Sequence, residues 1–285
     1  MKCRALTASR FGLDGGAMFG IVPRPLWERV APPDASHRIP MAGRALLLEG
    51  QGHLALVDVG MGDCWTAKER AIYGLNPDVG IESALSAVGV RPADVTDVVL
   101  SHLHFDHCGG LRKATPSGWT PLFPGARHWV QREHWLWAHR PSLRDAGSFR
   151  RDDFAWLGTD LAPKLHLVDG AATLWPGVRV HPLYGHSPAM QAVEVESDAG
   201  LVVFLADLVP TAAHLPVPWV MGYDVQPLVS VREKAERVGV WQARGATFVF
   251  SHDPDIAFAT LTEDSRRGWR TLLQGMQLDT LAPAP

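Results

Sequence analysis

At 285 residues with 46% hydrophobic side chains, the chain has the make-up of a globular protein long enough to bury a substantial core. Its net charge of −3, without a long run of either sign, argues against a nucleic-acid groove or a membrane-surface patch, and no apolar run approaches membrane-spanning length. Three cysteines (Cys3, Cys64, Cys108) are too few for a disulfide framework; with no apolar signal-peptide run near Met1, they predict a reduced, cytoplasmic protein.

Residues 2–9 read as a first strand. It leads into Asp14-Gly15-Gly16-Ala17-Met18-Phe19-Gly20, a glycine-rich turn without the lysine of a phosphate-binding loop. Met18 and Phe19 on this turn belong either to the core or to the mouth of a pocket. Residues 45–49 and 53–59 form a hairpin across Gly50-Gln51-Gly52. The second strand closes on Leu56-Val57-Asp58-Val59-Gly60. An acid ending an apolar strand needs a partner, so Asp58 either orients a ligand histidine from behind or caps the loop. Helices are predicted over 65–74 and 80–88, and Pro92-Ala93-Asp94 turns into a strand at 97–100.

That strand delivers Ser101-His102-Leu103-His104-Phe105-Asp106-His107-Cys108-Gly109-Gly110, with four metal-capable side chains in six residues. Residues two apart in an extended chain point the same way, so His102 and His104 can share one ion. The chain then turns, aiming Asp106 and His107 at a neighbouring point, and Gly109-Gly110 leaves room for close backbone approach. Imidazole and carboxylate donors suit zinc, with iron, manganese or cobalt as substitutes. Buried groups of this kind need partners, and a cluster so dense implies a metal. Cys108 reads as a packed thiol.

Five of the eleven tryptophans (Trp119, Trp129, Trp135, Trp137, Trp156) fall in a charged, aromatic-rich stretch over about 119–157, read as an insertion. Within it, 131–140 is helical and stops at Pro141, while Gly147-Ser148-Phe149 sits on an ordered loop. The aromatics suit a substrate-pocket wall, a homodimer interface or plain packing. Short strands follow at 165–168, 178–183, 190–196 and 201–205. His186 lies in the turn Tyr184-Gly185-His186-Ser187-Pro188, and Asp207 just after the last of these strands. A helix at 231–244 precedes a strand at 247–250 that ends in Ser251-His252-Asp253-Pro254. A helical stretch over 256–276 and a frayed Ala-Pro tail close the chain. No linker or repeat interrupts it, which favours a single domain over 1–285.

His186, Asp207 and His252 share their strand-end placement with the first cluster. Together they make five histidines and two aspartates, enough for two ions sharing one carboxylate. The set resembles the metallo-β-lactamase superfamily, whose HxHxDH motif stands here as His102, His104, Asp106 and His107. The resemblance implies an α+β, four-layer αββα sandwich: two mixed β-sheets face to face, helices outside, metals along one edge. It places one ion on His102, His104 and His186, the other on Asp106, His107 and His252, and Asp207 between them. Asp14–Gly20 with Pro23, Pro25, Leu26 and Trp27, then 206–214, and His252-Asp253-Pro254 are similar to the quorum-quenching N-acyl-homoserine lactonase group typified by YtnP. Two positions depart from that pattern. The turn around His186 lacks a second histidine, and Pro210 stands where some lactonases carry a tyrosine, so a substrate-contacting phenol would have to be Tyr223.

The expected protein is therefore a hydrolase of a small-molecule substrate. Its two divalent ions, zinc first among them, sit about 3.5–4 Å apart and share a hydroxide. Asp106 would shuttle the proton, and Met18, Phe19, Phe149 and Tyr223 would line the pocket. Lactone hydrolysis is the expected reaction, with organophosphate or carboxylic ester hydrolysis as the alternative. A di-iron redox enzyme would resemble HxExDH, against His104 here, and a non-catalytic scaffold would not need every ligand position filled.

Overall fold

Residues 38–50 form a long strand because Met41, Ala42, Ala45, Leu46, Leu47 and Leu48 leave no polar face. A strand buried on both sides belongs between two layers. The computed structural model, which describes residues 1–266 and 268–276, places it there. The strands in chain order are β1 (Lys2–Asp14), β2 (Arg38–Gly50), β3 (His53–Val57), β4 (Asp97–Val99), β5 (Arg112–Thr115), β6 (Gly118–Pro121), β7 (Arg127–Gln131) and β8 (Leu165–Val168). They continue as β9 (Ala172–Trp175), β10 (Val178–Leu183), β11 (Met190–Ser197), β12 (Gly200–Phe204), β13 (Thr247–Val249), β14 (Phe258–Asp264) and β15 (Gly268–Gly275). One sheet runs β1-β2-β3-β4-β7-β8, the other β15-β14-β13-β12-β11-β10-β9, and β5-β6 is a separate ribbon.

Alternation along β2 sorts the core into two halves. Leu46 and Leu48, with Ala55, Val57 and Val99, pack against Val180, Val193 and Phe204 of the second sheet. Ala45 and Leu47, with Leu56 and Val98, face Ile81 and Leu85 of the helix Ile81–Ser86 and Ala138 of the helix Arg132–His139. Val238 and Trp241 of the helix Pro227–Ala243 join the second sheet's cluster. Helix, sheet, sheet, helix is the four-layer α+β arrangement expected from the sequence.

The sheet register decides where the polar residues end up. β3 and β4 run parallel with Val57 opposite Val99, and β12 and β13 run parallel with Phe204 opposite Val249. Three residues beyond Val99, Phe204 and Val249 stand His102, Asp207 and His252. All three chains therefore leave the sheets at the same rim, the carboxyl ends of parallel strands.

Three stretches differ from expectation. Residues 256–276 form the hairpin β14–β15, not a helix. Thr247 of β13 pairs with Thr260, and β14 pairs in turn with β15, so a waiting sheet edge overrides the local pattern. The Ala-Pro tail lies outside the described residues. Second, β7 falls inside the aromatic-rich stretch and runs parallel between β4 and β8, so that stretch is sheet as well as loop. Third, the first strand continues to Asp14, whose carboxylate caps the short helix Gly15–Phe19 by accepting from the Ala17 amide at 2.7 Å. Among the described residues no helix is long and apolar enough to cross a membrane.

The close approach expected at Gly109-Gly110 is present. A Cβ on Gly110 would lie 2.2 Å from the Val59 carbonyl oxygen, and one on Gly109 2.3 Å from that of Met61. Neither obstacle is a side chain that can swing away. Gly110→Ala is expected to cost at least ~2 kcal/mol, read as a lower urea midpoint at unchanged slope. A second prediction concerns His128, which is fully buried and which burial pushes down to about 4 from the usual 6.5. Below pH 6.5 the unfolded chain takes a proton that the folded ring refuses until about pH 4, so stability falls through that window. His128→Leu should flatten part of this loss in denaturant midpoints measured at pH 7 and 4.5.

Candidate metal centre

The loop after β4 is stapled before it turns. The Gln191 amide N–H donates to the Ser101 carbonyl and its side-chain amide donates to that of Leu100, both at 2.8 Å. The one-turn helix Phe105–Cys108 then reverses the chain, with the His107 and Cys108 amides donating to the His104 carbonyl. His102, His104, Asp106 and His107 are all buried here; the strand ends described above bring Asp207 and His252 to them, and the turn after β10 brings His186.

Two sets of donor atoms result. His104 Nδ1 lies 3.0 Å from His102 Nε2 and 3.1 Å from His186 Nε2, a trio able to hold one ion. His252 Nε2 lies 2.9 Å from His107 Nε2 and 3.5 Å from Asp106 Oδ2, a second such trio. Asp207 stands between them. Its Oδ2 is 3.4 Å from His186 Nε2, while its Oδ1 is 3.1 Å from His252 Nε2 and 3.3 Å from His107 Nε2. The residues fit a pair of divalent ions, because nitrogens at these separations turn lone pairs at one another.

Each imbalance is set from behind. His107 Nδ1 meets Asp58 Oδ2 at 2.8 Å, and Asp58 also accepts from the Ser101 amide at 2.7 Å and the Ser101 hydroxyl at 2.6 Å. With its proton committed to Asp58, that hydroxyl accepts from His102 Nδ1 at 3.0 Å. His186 Nδ1 donates to Asp224 Oδ1 at 2.9 Å and His252 Nδ1 to the Ala42 carbonyl at 2.8 Å. In all four rings the outward nitrogen is the donor, and Nε2 is left to face inward. Asp58 and Ala206 both hold left-handed backbone, at φ +55° and +48°, the kind of local strain found where geometry is imposed.

Burial, then neighbouring imidazoles, holds His102 and His104 well below the ordinary histidine range. Burial acts the same way on His107, but Asp207, Asp106 and Asp58 outweigh it and raise that ring well above the range. For Asp207 burial disfavours the charge, and His252, His107 and His186 reverse the effect, holding the carboxyl well below its usual value. Cys108 is fully buried, with Sγ 3.4 Å from the Leu103 carbonyl, as a packed thiol should be.

A cavity of about 250 Å³ opens onto His104, Asp106, His186, Asp207 and His252. Met18 and Tyr223 line it, together with Leu13, Tyr73, Phe105 and Met221. Phe19 does not. Its ring is stacked between Trp27, 5.4 Å away, and His214, 4.5 Å away, and belongs to the core. Phe149 is also absent from the lining; it packs edge-on against the His104 ring at 4.6 Å. Sequence reasoning missed Asp224, Arg144 and His134. His134 Nε2 accepts from the Leu103 amide and its Nδ1 donates to the Pro188 carbonyl, each at 2.8 Å, so a neutral ring ties the loop of His102 to that of His186.

The profile of the metallo-beta-lactamase superfamily matches residues 38–272, and the chain belongs to that superfamily. It is 28% identical over 184 residues to the N-acyl homoserine lactonase AttM of Azorhizobium caulinodans, covering 64% of this chain and 66% of that protein. A probable metal-dependent hydrolase from Staphylococcus aureus superposes with a TM-score of 0.85 at 26% identity, over 95% of this chain and 96% of that one. The dizinc quorum-quenching lactonase AidC, in complex with a product, shares the fold with a TM-score of 0.75 at 21% identity, over 95% and 93% of the two chains.

Because Asp224 is the partner of His186 Nδ1 among the described residues, Asp224→Ala is expected to weaken zinc binding about 10–100-fold, measured by competition with a chromophoric chelator. An unchanged affinity would show that His186 needs no such support.

Proposed function

We propose that this protein is a dinuclear-metal hydrolase that opens lactones of the N-acyl-homoserine type. The observation that carries the reading is Asp207, whose two carboxylate oxygens face two separate trios of donors. A lone structural ion would need neither a second trio nor a shared carboxylate. On this reading His102, His104 and His186 hold one ion, Asp106, His107 and His252 the other, and Asp207 both. The nitrogen-rich donor set favours zinc. Two such ions would lower the pKa of water to about 7 and polarise a carbonyl oxygen.

The chain's own residues supply the rest. Asp106 faces both the second trio and the cavity, where its carboxylate can take a proton from water and return it to the leaving alkoxide. Tyr223 is pushed up to about 12 by burial and then by Asp106, so its phenol stays protonated and can donate to a substrate oxygen across the neutral range. Leu13, Met18, Phe105 and Met221 give the cavity an apolar wall that excludes water and suits an acyl group. The AttM relative acts on N-acyl homoserine lactones, which favours the lactone over other carbonyl substrates.

The test is a kinetic screen of metal-loaded protein over acyl-homoserine lactones, simple esters and phosphotriesters, with metal counted per chain. About two zinc ions, lactones as the best substrates, and loss of turnover on chelation with recovery on adding zinc are expected. Esters or phosphotriesters turned over faster than any lactone would remove the substrate assignment and leave the metallohydrolase. Turnover that survives full chelation would remove both.

A further inference from the structure

Among the residues lining the cavity, Arg144 is the single arginine or lysine. It arrives on the loop after the helix Arg132–His139, held in place by its neighbour. Buried Asp145 accepts from Trp137 Nε1 and from the Ser142 hydroxyl, both at 2.7 Å, so that carboxylate is committed to the loop and not to Arg144. Arg144 reaches across to the segment that carries Tyr223. Its Nη2 donates to the Gly222 carbonyl at 2.5 Å and lies 3.4 Å from the Asp224 carbonyl. Among the described residues it forms no salt bridge, and its Nε and Nη1 have no hydrogen-bond partner.

The two carboxylates inside the cavity do not neutralise it either. Asp207 is surrounded by His107, His186 and His252, and Asp106 faces His252. The result is an exposed planar cation anchored through one nitrogen, on the cavity that Leu13, Met18, Phe105 and Met221 also line. A guanidinium in that position matches a planar oxygen acceptor.

We propose that Arg144 is a specificity-determining residue that binds an oxygen acceptor carried by the substrate away from the bond being broken, either an acyl amide carbonyl or a carboxylate. This deepens the lactone reading and rests on it. In an N-acyl-homoserine lactone the ring ester lies at the donor rim, and the amide carbonyl of the side arm is the acceptor left to engage the guanidinium. A lactone without that arm gains nothing from it.

Arg144→Met and Arg144→Lys are compared with wild type on an N-acyl-homoserine lactone, on γ-butyrolactone, and on a γ-lactone carrying a carboxylate instead of the acyl amide. Melting temperature and metal content check the fold. Arg144→Met should raise KM for the substituted lactones about 10-fold or more, leave kcat/KM for γ-butyrolactone within about 2-fold, and be partly rescued by Arg144→Lys. Which substituted lactone loses more separates carbonyl from carboxylate recognition. An equal loss on all three, or no loss on any, overturns the proposal. Calorimetric binding of ring-opened acyl-homoserine and of homoserine runs alongside, independent of turnover. If wild type binds both equally, or Arg144→Met leaves their difference intact, the proposal falls. If lactones are not hydrolysed yet the binding difference is present and depends on Arg144, the reaction assignment fails and the subsite stands.

Discussion

The rim holds together because the outward nitrogens of four of its five histidines are committed. Ser101, Asp58, Asp224 and the Ala42 carbonyl take the Nδ1 protons of His102, His107, His186 and His252, and this single set of bonds decides which way four lone pairs point. Inward, imidazole nitrogens meet at 2.9–3.1 Å. Such an arrangement is unfavourable in an apolar interior unless positive charge is supplied at the centre. A proton can supply it only in part. Burial and mutual repulsion hold His102 and His104 neutral, while Asp207, Asp106 and Asp58 drive His107 the other way. Divalent cations satisfy every inward atom at once, and the geometry makes sense as a preformed cage for them.

Preforming the cage requires support well outside it. Arg44 is buried, donates from Nε to the Phe250 carbonyl at 3.0 Å and from Nη2 to that of Asp253 at 2.5 Å, and so clamps the turn that presents His252. Lys234 does the same for the cavity wall. Its ammonium reaches the carbonyls of His214 at 2.8 Å and Trp219 at 2.6 Å, fixing the segment that leads to Met221, Tyr223 and Asp224. Burial brings this lysine down to about 7, and the three carbonyl oxygens around it are what a buried ammonium needs for compensation. His214, neutral for the same reason as His134, accepts from the Thr211 hydroxyl and donates to the Met18 carbonyl, joining the glycine-rich turn to that wall.

Much of this was legible because the ligands announce themselves locally. His102, His104, Asp106 and His107 are dense in the sequence, and His186, Asp207 and His252 each stop or flank an apolar run. Asp58 was readable on the same ground, as a charge at the end of a strand that cannot afford one unpaired. What stayed hidden depends on contacts far apart in the chain. Asp224 lies in Gly222-Tyr223-Asp224, a stretch with no period, and its role exists only through His186, 38 residues away. β14 and β15 are strands because β13 offers them an edge, which no window of sequence contains. Phe19 carried the composition of a pocket wall, yet stacking on Trp27 and His214 turned it inward.

The two halves of the site are built differently, and the difference bears on how such a site can change. Every donor at the rim is buried, and His102, His107, His186 and His252 are bonded on their far sides, so replacing one of these four disturbs its partner as well. The opposite wall comes from three loop segments around Met18, Arg144 and Met221 to Tyr223, joined mainly through backbone carbonyls such as those of Met18, Gly222 and Trp219. A carbonyl is available whatever side chain its residue carries. Wall side chains that only supply a backbone carbonyl, such as Met18, can therefore vary without loosening the frame, whereas Arg144, which donates to the Gly222 carbonyl, cannot. On the proposed reading the buried donors would set the reaction type and the loops the substrate, a division that lets one fold serve several hydrolytic chemistries.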